Sequence, residues 1–163
     1  MKKIVAEQKR LAEQAENIRK KASQFQTRLL RLSKQNLYIE YLMLISQVLE
    51  TTIKQTLNVK IGTINYWLAL NESSKFNYID VDFNSYDNNQ TLGQLLKDFD
   101  KYFDDSVLKK DLSKFNKERN IFVHKLFQQN KSLISLNKIA KDTSILGLKT
   151  LIELNELSIN MIN

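Results

Sequence analysis

One stretch of this 163-residue chain concentrates side chains able to do chemistry: Glu118-Arg119-Asn120-Ile121-Phe122-Val123-His124-Lys125. It holds the only histidine of the sequence. On a helix, at about 100° per residue, Asn120 and His124 fall about 40° apart on one face, with Arg119 about 140° from His124. The arginine side chain is long enough to reach round to an anion bound at His124. Such a set suits cleavage of a phosphodiester in RNA. The 2′-hydroxyl attacks the adjacent phosphorus if a base removes its proton and an acid protonates the leaving 5′-oxygen, and an imidazole can serve in either step. A guanidinium binds the phosphate and stabilises charge growing on its oxygens, while the carboxamide orients the phosphate or the imidazole. Lys125 adds a phosphate contact or lowers the basicity of its neighbour. No metal is required by this chemistry. The same residues also suit a purely structural role, with His124 half-buried on a helix, Arg119 paired to a surface acid and Asn120 incidental.

Composition narrows the fold that must carry this stretch. There is no proline, no cysteine and only three glycines, Gly62, Gly93 and Gly147. Many-stranded sandwiches and barrels need special turn residues, and so poor a supply argues against them. Glycine-rich phosphate loops, disulfide frameworks and thiolate zinc sites are excluded by the same counts. With 42% hydrophobic and 26% charged residues the chain has globular composition. Its length fits a single domain, residues 1–163. Neither a secretory signal nor a membrane-spanning stretch is visible, so a cytoplasmic protein is expected.

The net charge of +7 is unevenly placed. Residues 1–35 hold ten Lys/Arg against three Glu, which accounts for all of it. A basic arm on a neutral body suggests an anionic partner, most simply nucleic acid, with Arg28, Arg31 and Lys34 as candidate RNA contacts. A solvated helix face would show the same charge pattern.

Hydrophobic spacing predicts an all-α bundle of five or six helices. Ile4, Leu11, Ile18, Phe25 and Leu32 recur every seven residues, with Gln8, Ala15, Ala22 and Leu29 offset by four. This heptad row predicts one long helix over 2–33 that projects or packs against another subunit in its first turns. After a break at 33–36, a second, mostly apolar helix is expected over 37–57, and a separate short helix over 61–70. Residues 71–90 are polar and are expected to form a long loop. Helices over 91–103 and 107–128 follow, the second capped by Asp104, Asp105 or Ser106, and a last one over 133–162 with a bend at Gly147. Tyr38, Tyr41, Tyr66, Trp67, Phe76, Tyr78, Phe83 and Tyr86 suit base stacking but are expected mainly as core or loop anchors. Asp80, Asp82 and Asp87 lack the glycine and terminal glutamate of a calcium loop, so no metal and no cofactor is expected.

Arg119-Asn120-x-x-x-His124, late in a small helical chain, resembles the Arg-x(4–6)-His motif of the HEPN superfamily (higher eukaryotes and prokaryotes nucleotide-binding domains). Thr91-Leu92-Gly93-Gln94-Leu95-Leu96 is similar to the segment that many prokaryotic members place ahead of that motif. The resemblance covers roughly residues 35–160 and leaves out the basic N-terminal helix. It implies a HEPN-like bundle, usually a homodimer whose two motifs face each other across a cleft. It also implies a metal-independent endoribonuclease of a toxin–antitoxin or phage-defence system, with an antitoxin or defence-system partner protein. Arg119 and His124 would then be catalytic and Asn120 supporting. Toxins of this superfamily paired with nucleotidyltransferase antitoxins carry a tyrosine two residues after the histidine; this chain has Leu126. The alternatives are a helical protein-interaction module and an RNA binder that does not cleave.

Overall fold

The structure is a computed structural model that describes residues 20, 23–72, 90–128 and 132–161. Among the described residues it is an all-α bundle of five helices with no strand. Helix α1 spans 23–34, followed by α2 (Tyr38–Glu72), α3 (Leu92–Tyr102), α4 (Ser106–Gln128) and α5 (Leu133–Asn160). Residues 2–19 and 21–22 of the expected N-terminal helix lie outside the described residues, as does 73–89 of the expected loop with its aspartates.

Local chemistry sets most helix ends. α1 stops at a turn where Asn36 takes φ 55°, a left-handed conformation that asparagine tolerates better than most residues. Thr91 and Gln94 form a reciprocal capping box at the start of α3. The segment singled out for its resemblance therefore has a local role here, starting a helix. Asp105 caps α4 by accepting from the Val107 and Leu108 amides at 3.1 and 2.9 Å, and Ser132 caps α5 through the Ser135 amide.

One expected boundary is wrong. The helix expected to end near Leu57 and the short one expected over 61–70 are a single 35-residue helix. Gly62 sits buried inside it, and with no proline nearby nothing stops the backbone ladder.

α2 and α5 run parallel. Near their starts the Tyr38 amide donates to Asn137 Oδ1 at 2.9 Å, and farther along the hydroxyls of Thr56 and Ser158 meet at 2.8 Å. α4 lies antiparallel to α5, with Lys149 Nζ 2.7 Å from Asp111 Oδ2. α3 and α4 form an antiparallel hairpin: Lys109 Nζ donates to the Asp100 carbonyl at one end, and Gly93 lies against Asn116 at the other. The three-residue connection 35–37 folds α1 back along α2, so that Leu29 and Leu30 line a groove with Tyr41 and Leu148.

The core is built from Leu42, Ile45, Leu49, Ile53 and Leu57 of α2, Leu95 and Phe99 of α3, and Leu108, Leu112, Phe115 and Phe122 of α4. α5 contributes differently. Its buried face is mostly small, with Ala140, Thr143, Ser144, Gly147 and Thr150 beside Leu136, Leu151 and Leu154. A Cβ on Gly147 would stand 2.5 Å from Phe115 Cε2 and 2.7 Å from Ile45 Cγ2. The glycine is thus required by close helix packing; it lies within an uninterrupted helix rather than at a break. The buried hydroxyls are satisfied by carbonyls one turn earlier, Ser144 on Ala140 and Thr150 on Leu146.

Candidate functional site

α4 carries the Arg-Asn-x3-His stretch on its last two turns, and its core stripe decides how each side chain points. Leu108, Leu112, Phe115 and Phe122 face inward. Arg119, seven residues after Leu112 and three before Phe122, falls on the same side of the helix. It is accordingly half-buried, and its Nε is shut off from solvent with no hydrogen-bond partner among the described residues. Its Nη1 donates to Asn120 Oδ1 at 3.4 Å. Asn120 and His124 are exposed. Asn120 and His124 thus stand exposed one turn apart, whereas Arg119 lies on the side of the core stripe.

The first turn of α3 flanks this end of α4. Asn116, one turn before Asn120, lies with its amide nitrogen against Gly93, while its Oδ1 is buried without a partner among the described residues. Gln90, which leads into α3, also buries an Oε1 with no partner among them. Neither residue stood out in the sequence, where a lone amide at the edge of an apolar stripe looks like any other polar neighbour. Along the α3–α4 hairpin and the residue leading into it there are thus one buried donor, Arg119 Nε, and two buried acceptors with no partners among the described residues. Unpaired buried groups of this kind cost about 1–3 kcal/mol each.

The remaining candidates lie elsewhere. Arg28, Arg31 and Lys34 are exposed on α1, where Arg28 and Arg31 line a shallow groove with Ser23, Gln24 and Thr27. Among the described residues nothing links that groove to α4. The side chains of Lys125, Tyr66 and Trp67 lie outside the described residues, as do Phe76, Tyr78, Phe83 and Tyr86. Tyr38 and Tyr41 are partly buried against each other, centroids 6.3 Å apart, with Lys141 Nζ 5.3 Å above the Tyr38 ring. Burial pushes the Tyr41 phenol above its ordinary value, and Tyr38 adds to the shift.

No group of three His, Asp or Glu is placed to hold a metal ion among the described residues. No helix among them is long and apolar enough to cross a membrane. Comparison with family models, curated proteins and solved structures finds no match. The reading of the site therefore rests on its own residues.

Proposed function

We propose that the chain is a metal-independent endoribonuclease of the HEPN type, acting in a toxin or phage-defence setting in the cytoplasm as a homodimer. The observation that carries this reading is the placement of His124 and Asn120, exposed on one face of α4, beside a guanidinium already held by Asn120. In the reaction His124 Nε2 or Nδ1 takes the proton of a 2′-hydroxyl. The 2′-oxygen bonds to phosphorus and the bond to the 5′-oxygen breaks. Protonation of that oxygen by an imidazolium, from this chain or its second copy, leaves a 2′,3′-cyclic phosphate and a 5′-hydroxyl. Arg119 supplies positive charge to the non-bridging oxygens as it develops there. Exposure of His124 supports access by RNA and by a facing motif.

A second reading has its own support. Arg119 Nε is buried without a hydrogen-bond partner among the described residues, as a guanidinium with a packing role would be in a protein-interaction or RNA-binding module that does not cleave. The deciding experiment is incubation of labelled single-stranded RNA and transfer RNA with the purified chain in EDTA, beside His124→Ala. Cyclic-phosphate products lost in the variant support the nuclease. Folded, dimeric protein that cleaves neither RNA favours the module.

A further inference from the structure

Neither the backbone nor the packing of α3 requires a glycine at position 93. Gly93 lies in the first turn of the helix and its φ is not positive. An added Cβ would meet a single neighbour among the described residues, Asn116 Nδ2 at 3.8 Å, which is an ordinary contact. Gly147 differs, since Phe115 and Ile45 leave no room for a Cβ there. Within a helix glycine is destabilising relative to alanine. What its missing side chain leaves is space: Gly93 lines a groove of about 210 Å³ between α3 and α4. Backbone laid bare in this way admits close approach of a ligand.

The lining of the groove favours an anion with apolar and hydroxyl-bearing parts. Leu96 and Leu112 give it an apolar side, and Lys97 and Lys109 set two positive charges against the one carboxylate of Asp100. Lys109 Nζ donates to the Asp100 carbonyl at 2.8 Å, which holds the ammonium in place and leaves its other protons for a ligand. Lys97 and Ser113 have no hydrogen-bond or ion-pair partner among the described residues. The groove has the volume of about seven water molecules at about 30 Å³ each, which is room for one sugar–phosphate unit or one base. Its position on α4 ties it to the candidate site. At about 100° per residue, Lys109, Ser113, Asn116, Asn120 and His124 fall within an arc of about 80°, a single stripe along the helix. His124 stands about 12 Å beyond Asn116 along the axis. That is on the order of three to four nucleotides at the per-strand rise of about 3.4 Å.

We propose that the α3–α4 groove is a subsite for one nucleotide of single-stranded RNA, a few nucleotides along the strand from the bond that meets His124. The sugar–phosphate backbone passes over Gly93, Lys97 and Lys109 neutralise its phosphates, and the Asp100 carboxylate accepts from a 2′-hydroxyl. The choice of RNA rests on the ribonuclease reading, but occupancy of the groove is tested without cleavage.

Gly93→Gln puts a good helix former at an open position, so thermal unfolding is expected at an unchanged or higher temperature. The same variant is expected to raise the Kd for a short mixed-sequence single-stranded RNA by about tenfold, a combination that a merely structural glycine would not give. The chain has no cysteine, so Ser113→Cys places a single thiol in the groove. The labelling is done in the His124→Ala background, which on the ribonuclease reading keeps the RNA whole. N-ethylmaleimide is expected to label the thiol readily in free protein and, with RNA added, only in the fraction that filter binding shows to be unbound. Labelling that ignores bound RNA overturns the subsite. So does a thiol already shielded without RNA, a Gly93→Gln variant with the parent's affinity, or protein that binds no RNA. Protection by RNA, in a chain whose parent cleaves none, supports the subsite and removes the ribonuclease reading alone.

Discussion

Arg119 donates to the side-chain oxygen of Asn120 at 3.4 Å, while His124, one turn beyond Asn120, stands in solvent. The three residues thus occupy two environments. The guanidinium is half-buried at the edge of the bundle, and the imidazole is exposed. This division allows structural and functional roles to be separated by substitution.

His124 is exposed on α4. His124→Ala is expected to change unfolding free energy by less than about 0.5 kcal/mol. On the nuclease reading it lowers cleavage by roughly 10²–10⁴-fold, the usual worth of a positioned acid or base. Urea unfolding and product analysis on the same preparation check both halves. A large stability loss would mark His124 as structural.

Arg119 gives the complementary test. Its buried Nε lacks an acceptor among the described residues, so Arg119→Met removes a buried polar group while keeping most of the side-chain volume. Thermal unfolding is expected to occur at an unchanged or higher temperature. Cleavage is expected to fall by about 10²–10³-fold, as when one stabilising donor is removed from a reacting oxyanion. Destabilisation by more than about 1 kcal/mol would favour a structural guanidinium.

The exposed cations of α1 predict a salt effect. Replacing Arg28, Arg31 and Lys34 with glutamine is expected to weaken RNA binding without unfolding the bundle. The slope of log affinity against log salt should shrink by about 2, at about 0.7 per lost contact to a single strand. Filter binding at several salt concentrations measures it, and an unchanged slope would remove α1 from the interface.

Gly147 predicts a steric penalty. Gly147→Ala would place a methyl group 2.5 Å from Phe115 and 2.7 Å from Ile45, so two fully buried side chains or two helices must shift. The expected cost is about 1–3 kcal/mol, despite alanine's higher helix propensity. Chemical unfolding of the variant decides whether packing or propensity wins.

Burial raises the Tyr41 phenol, so the folded state holds that proton more tightly than the unfolded state does. The resulting stability is full below the ordinary value of 10.0 and is lost as pH rises through the folded value. Tyr41→Phe is therefore expected to lose less stability than the parent between about pH 9 and about pH 11. Urea midpoints at the two pH values provide the comparison.

Helix existence was legible because it follows from local chemistry. Leu92, Leu95 and Phe99 at steps of three and four marked α3, while the Thr91–Gln94 capping box at its start came from the structure. The continuity of α2 across residues 57–61 was not legible, since a change in apolar spacing resembles a boundary when the neighbouring helices are unknown. At the candidate site the positions of Arg119, Asn120 and His124 round a helix followed from residue spacing. The unpartnered atoms of Asn116 and Gln90 did not, because an orphaned group is defined by what surrounds it.

By itself the sequence determined the helical class, most helix ends, the segregation of charge into the first 35 residues and the seven-residue row of the N-terminal segment. Each follows from backbone sterics, capping or side-chain period within one stretch of chain. Tertiary structure alone decided which face of α5 is inside. There Ile45 of α2 and Phe115 approach so closely that only a glycine fits at 147, Ala140, Ser144 and Thr150 share its buried face, and the larger Ile145, Ile152 and Ile159 are turned outward. Hydrophobicity alone would have buried the isoleucines; the available space placed the small residues inside instead.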